Sequence, residues 1–429
     1  MNIRKWFEKR GIRFVILRAV LLFKRYGITP RKAIARIEDI LKTLARFGCY
    51  PTFFTPGIIV KRYLRFIQDL QAKGAEIAIH SFQHVDLSSM KLDSAKEQLD
   101  KAIETFSSND IDAYGFRCPY LSCSTELLQS LPAGLFGYSS NKAIQLNIDN
   151  LAQNNKQSRV FNTLHRFYNP KSFADTISVP ETLSNTVEIP VCVPDDIQLH
   201  DGLNLKSTGI SAAWIEMLHQ THQRGELFNL IFHPELGSDC KRPFEDLLQE
   251  AISLTPTVWI ARLHEIYDWW QEKAKFQVEI KPLLNGYDIS FVCSSSATIL
   301  ARGLDDNDQA GIWDNDYHWV KSSTYKVNSN PLPFVGLAAS VPGSVTEILK
   351  EQGYIIETGE MAARCGIYID GSTLAGLDNE VKLINHIEMS TAPILRYWRW
   401  PRGAKSALCI TGDLDAITLR DYVTRLFPL

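Results

Sequence analysis

The sequence predicts an α/β fold built on a mostly parallel sheet or barrel. Three observations predict it: short apolar runs of strand length alternate with amphipathic helical stretches, Gly or Pro closes many of these units, and residues able to do chemistry stand at strand ends, where α/β folds keep their sites. Taken in order, Ala33, Ile34, Ile37, Ile40, Leu41, Leu44 and Ala45 recur at helical spacing until Gly48 stops the helix. Pro51-Thr-Phe-Phe-Thr-Pro-Gly57 reads as a buried strand and turn. A helix over 61–73 ends at Gly74, and Ala75 to Ile79 is the next strand. Helices over 94–106 and 125–130 flank a strand at 113–116. Helix 214–224, strand 227–232, helix 243–254, strand 258–261 and helix 263–273 continue the alternation.

The texture changes at about Phe276. Strand-like pieces at 276–280, 287–293, 298–304 and 366–369 surround a helix at 344–352, which reads as a separate α+β module over 276–397. Beyond it, Ala407-Leu-Cys-Ile410 is a buried-type strand leading into Thr411-Gly-Asp-Leu-Asp415, and the last dozen residues suit one short helix. The expected division is therefore 1–275, 276–397 and 398–429.

Composition narrows the function. The chain has 429 residues, 45% of them hydrophobic, enough for two or three domains with buried cores. A formal charge of -2 with no run of like charges offers no field for nucleic acid. The apolar stretch from Phe14 to Phe23 is interrupted by Arg18 and has no small-residue cleavage site after it, so it reads neither as a secretory signal nor as a membrane span. A helix flanking the core is the preferred reading of this stretch, and a basic amphipathic segment on a membrane surface is the other. Eight cysteines without C-x-x-C spacing fit free thiols in a reducing compartment, and the expected location is the cytoplasm.

Four short constellations carry the chemistry. His80 and His84 follow a strand; four apart on one helical turn, their nitrogens can converge on one ion, and about 0.2 such pairs are expected by chance. Asp413 and Asp415 end an apolar strand, where residues two apart face one way; paired carboxylates in a half-buried place call for a cation, or else serve as a helix cap and turn. Arg117 and Tyr120 bracket a proline at another strand end, where Arg can clamp a carboxylate. His233 ends the apolar strand Leu230-Ile-Phe-His233, a position that suits a satisfied core histidine as well as a catalyst. The aromatic residues Trp313, Tyr317, Trp319, Tyr354, Tyr397, Trp398 and Trp400 are either core or platforms for sugar rings.

Together these motifs, His-Ser-x-x-His at 80–84, Arg-x-Pro-Tyr at 117–120 and Leu-x-x-His at 230–233, resemble the polysaccharide deacetylase family, the NodB-like domains of carbohydrate esterase family 4, over about 28–275 plus 398–416. The resemblance implies a distorted (β/α) barrel of the NodB type and a hydrolase releasing acetate from an N-acetylated saccharide, a glycan or glycan precursor. It implies that Asp415, His80 and His84 bind a divalent metal, usually zinc, with cobalt or nickel as substitutes. Asp413 would be the general base held by Arg117, the Tyr120 amide would bind the oxyanion, and His233 would be the general acid. The carboxylate partner of His233 is expected in Val193-Pro-Asp-Asp196, at Asp196, although the family's usual Trp is absent there. Two departures stand out. The acids are spaced Asp-x-Asp, and their motif closes the chain although in the family it opens the domain. The expectation is a circular permutation, with the strand at 407–410 pairing beside that at 52–54; the alternative is a truncated second domain. Hydrolysis of another C–N bond, such as a cyclic amide or imide, and non-catalytic glycan binding are the competing functions.

Overall fold

A computed structural model of the chain describes residues 20, 22–148, 159–183, 186–304, 312–328 and 331–425. Most of the N-terminal stretch read as a core-flanking or membrane-surface segment lies outside the described residues. No helix among them is long and apolar enough to cross a membrane, and all eight cysteines are free.

The principal sheet has twelve strands among the described residues. In chain order eleven precede residue 261: β1 Thr52–Thr55, β2 Glu76–Ile79, β3 Gly115–Phe116, β4 Tyr138–Ser139, β5 Ala143–Gln145, β6 Lys171–Ser172, β7 Glu181–Thr182, β8 Val187–Glu188, β9 Val191–Val193, β10 Leu227–Phe232 and β11 Val258–Ile260. The twelfth is the C-terminal strand Ser406–Asp413. The spatial order is β6-β5-β9-β10, then Ser406–Asp413, then β1-β2-β3-β4-β8-β7, with β11 also paired to the C-terminal strand. The path has two ends, so the expected barrel is a curled half-barrel sheet of a mixed α/β fold. All the pairings are parallel except that of β7 with β8.

The C-terminal strand is central. It pairs with β10 from Leu227↔Ala407 to Phe232↔Gly412, with β11 along its first half, and with β1 at Thr52↔Thr411, Phe53↔Gly412 and Phe54↔Asp413. All eight of its residues are buried, as a parallel strand covered on both faces requires. Its side chains alternate between two cores. Leu408 and Ile410 pack with the helices Arg31–Ala45, Gly57–Ala72, Leu92–Ser107, Ser207–Arg224 and Gly237–Ser253, whereas Ala407 and Cys409 join a core that extends into residues 277–397. Gly412 sits where this strand is squeezed between rings: a Cβ there would lie 2.8 Å from Phe53 and 2.9 Å from Phe232. Gly412→Ala is therefore expected to cost about 1–3 kcal/mol, read as a lower urea midpoint at unchanged slope.

Among the described residues of 277–397 there are three smaller sheets, one of three strands at 277–327, one of four at 299–397 and one of three at 332–369. Of the aromatic residues weighed as sugar platforms, Tyr317, Tyr354, Tyr397, Trp398 and Trp400 are buried and are core; Trp398 and Trp400 donate to the carbonyls of Lys405 and Gly225.

Candidate active site

Six neighbouring parallel strands, β9, β10, the C-terminal strand, β1, β2 and β3, end at one rim, and the residues just past their carboxyl ends meet there. Register decides this. Asp413 stands beside Phe54, Gly412 beside Phe232, and Ile79 beside Phe116, so Asp413, His80, Arg117 and His233 emerge at one level.

His80 and His84 do not share a helical turn, contrary to expectation. Residues 80–84 form an irregular segment that Ser81, at φ +63°, bends sharply, and the bend brings the two rings to 5.1 Å between centroids. His80 Nδ1 lies 2.9 Å from the Arg117 carbonyl. A carbonyl only accepts, so Nδ1 donates and Nε2 keeps its lone pair. That Nε2 is fully buried and unpartnered, and it faces Asp415 Oδ1, also unpartnered, at 3.4 Å. His84 Nε2 is 3.1 Å from the same oxygen. Asp415 lies two residues past the end of the strand; the Leu414 amide still donates to the Phe54 carbonyl at 2.9 Å, and Asp413 and Asp415 both face His80 Nε2.

One ligand atom each from His80, His84 and Asp415 lie within 4.8 Å of one another, and all three residues are buried. Two imidazoles and a carboxylate are a donor set suited to zinc, and two buried polar atoms lacking partners are what such an ion would satisfy. The residues present therefore fit a divalent cation. Burial works against the Asp415 carboxylate, yet Arg425 and His84 beside it hold its pKa well below the usual range.

Asp413 has a different environment. Its Oδ1 accepts from Arg117 Nη1 at 2.8 Å, and its Oδ2 is 3.8 Å from His80 Nε2. Arg117 is fully buried; it also donates to the Ser140 carbonyl, to Ser140 Oγ and to Thr411 Oγ1, and its guanidinium lies 3.9 Å from the centroid of the Phe54 ring. Four of the five N–H groups of the guanidinium are engaged, which orients the carboxylate it holds.

His233 and Asp196 form the third unit: Nδ1 to Oδ1 is 2.7 Å, and the His233 amide donates to Asp196 Oδ2 at 2.7 Å. Asp195 accepts from Tyr168 and from the Gln198 amide, although one ligand atom each from Asp195, Asp196 and His233 lie within 4.8 Å of one another, and burial pushes its pKa up to about 6. Burial pushes the His233 imidazole pKa down, but Asp196 outweighs it and the net shift is well upward. A group whose folded pKa is raised stabilises the fold fully below its unfolded pKa, about 6.5 for His, and loses that contribution as pH rises through the folded value. Stability is therefore expected to fall with rising pH above about 6.5, and Asp196→Asn to flatten that dependence in urea titrations taken with a chelator present.

Tyr120 holds a left-handed conformation, φ +60°, with its ring 4.7 Å edge-on from His84 and 5.1 Å from Phe167. Sequence reasoning missed four contributors. Thr411 was legible, being two before Asp413 on a strand and so on its face. Ser140 and Glu235, the latter accepting from Tyr26 at 2.5 Å, carry no motif. Arg425, 2.9 Å from Asp415 Oδ2, had no signal beyond being basic in a short helix.

These atoms define an α/β protein with a buried carboxylate–imidazole cluster at the carboxyl ends of its central strands. Residues 33–133 match the family model for polysaccharide deacetylase, and the chain is related to that family over this stretch, which contains His80, His84, Arg117 and Tyr120. Similar solved structures include a polysaccharide deacetylase from Mycobacterium smegmatis, at 19% identity over 57% of this chain and 79% of that one, with a TM-score of 0.43. One from Pseudomonas aeruginosa PAO1 shares 17% identity over 57% and 74%, with a TM-score of 0.42. A family 4 carbohydrate esterase from Streptomyces lividans shares 12% over 51% and 82%, with a TM-score of 0.30. No curated protein matches. These likenesses are distant, and what the site can do follows from its own atoms.

Proposed function

We propose that the chain is a metal-dependent hydrolase that removes the N-acetyl group from an amino sugar of a glycan or glycan precursor, releasing acetate. One observation carries this reading: a cation-binding donor set, an Arg-held carboxylate and an Asp-held imidazole converge at one strand-end rim. His80, His84 and Asp415 hold the ion, with zinc as the first choice and cobalt or nickel as alternatives. Bound there, a divalent ion would supply positive charge able to polarise an amide carbonyl and to make water more acidic.

The remaining steps belong to the chain. Asp413, oriented by Arg117, accepts the proton of the attacking water. The Tyr120 amide donates to the oxygen on which negative charge develops. His233 gives its proton to the departing amine, and Asp196 on Nδ1 leaves Nε2 as the donating nitrogen. An imidazole kept protonated to higher pH than usual is suited to that task.

The position of the C-terminal strand between β10 and β1 supports a circular permutation, in which the strand that opens the domain in the family is supplied from 398–429. Residues 1–275 and 398–429 then form the catalytic unit, and 276–397 an accessory module between them. Acetate release from N-acetylated oligosaccharides, assayed with zinc, cobalt and nickel beside His80→Ala, tests the activity. Metal-dependent release lost in the variant is expected. No release from any sugar, with turnover of small cyclic amides, would overturn the substrate class.

A further inference from the structure

The helix Leu419–Arg425 is fastened at its start and reaches the site at its end. Asp421 accepts from the Thr418 amide at 2.9 Å, Thr418 Oγ1 at 2.8 Å and Tyr63 at 2.8 Å, and pairs with Arg62 at 2.5 Å, which fixes the first turn to the helix Gly57–Ala72. The last turn carries Arg425, whose side chain is 14% exposed. Its Nη2 lies 2.9 Å from Asp415 Oδ2, 2.8 Å from His84 Nδ1 and 3.2 Å from His84 Nε2.

A single Nη2 this close to both ring nitrogens lies over the face of the His84 ring, because the in-plane lone pairs point outward and apart; the guanidinium meets the ring face and Asp415 Oδ2, leaving His84 Nε2 and Asp415 Oδ1 facing each other. An ion bound to Nε2 at about 2.1 Å would also lie within about 5.3 Å of Nη2, two positive charges in a buried place.

We propose that Arg425 sets the affinity of the candidate cation site: its guanidinium neutralises Asp415 through Oδ2 while a divalent ion would take Oδ1, so the two cations compete for the charge of one buried carboxylate. This rests on His80, His84 and Asp415 being the ligands, and it is independent of the substrate. Asp421 fixes the helix, so the guanidinium is held beside the site.

Calorimetric titration of the full chain with zinc tests it, using wild type, Arg425→Met, Arg425→Gln and His80→Ala. The two neutral Arg425 variants are expected to bind zinc at least about tenfold more tightly than wild type, and His80→Ala to lose the site. The pair guards against one variant failing to fold, with thermal melts reporting on each. Equal or weaker zinc binding by the Arg425 variants, with binding still lost in His80→Ala, would overturn the competition and leave the ligand assignment standing. Undiminished binding by His80→Ala would overturn the ligand assignment, and the competition with it.

Discussion

Asp415→Ala is expected to abolish stoichiometric zinc binding. The substitution removes the one anionic donor of the three and leaves two neutral imidazoles, which alone are a poor site for a divalent ion. It also strips Arg425 of the carboxylate that neutralises it, so a cation entering the site would meet an unpaired guanidinium. Loss of an outer partner typically weakens a metal site by about 10–100-fold, and the loss of a direct ligand should exceed that. Metal content after dialysis against zinc is the measurement, with one ion per chain expected for wild type and background for Asp415→Ala. Asp196→Asn, which alters the His233 pair but none of the three ligands, should retain its ion. Retention of zinc by Asp415→Ala would separate the two ends of the chain functionally and leave the N-terminal histidines to another role.

The second large effect is on stability. Arg117→Leu removes a fully buried cation whose fork satisfies Asp413, Ser140 and Thr411, and leaves the Asp413 carboxylate buried without its counter-charge. Breaking a buried pair from one side costs about 3–5 kcal/mol, because the remaining charge is uncompensated. For a chain whose whole stability is on the order of 5–15 kcal/mol, that is a large fraction. The thermal midpoint should drop by about 3–6 °C. Arg117→Leu combined with Asp413→Asn should recover part of the loss, since neither charge is then stranded. Strict additivity of the two single changes would show that the pair is not coupled. Asp413→Asn alone should lower kcat by about 10²–10⁴, the range for removing a general base, with zinc content unchanged.

Much of this architecture was legible because the elements that matter most are long enough to carry a period. The strand at 227–232 and the helices at 31–45 and 92–107 follow their apolar spacing closely. The helix Ser207–Arg224 begins seven residues before the expected 214, since its first turns hold Ser, Thr and Gly, but it ends as expected, at Gly225 in the left-handed conformation. Strands of two or three residues such as β4, β8 and β9 have no readable period, and they exist because neighbouring strands supply partners.

The site was legible by residue type but not by local geometry. His80 and His84 converge through a left-handed Ser81 rather than a helical turn, and Asp415 lies two residues past the end of its strand. Asp195 and Asp196 are adjacent and chemically identical in sequence; only the chain path after Val193 decides that Asp196 meets His233 while Asp195 meets Tyr168. Arg425 was invisible because its role comes from where the Asp421 anchor aims a short helix.

A zinc-edge anomalous difference map from crystals of the full chain grown with zinc tests the account at its centre. A single strong peak within bonding distance of His80 Nε2, His84 Nε2 and Asp415 is the expected result. A peak elsewhere, or ordered imidazoles and carboxylate with no peak among them, would contradict it.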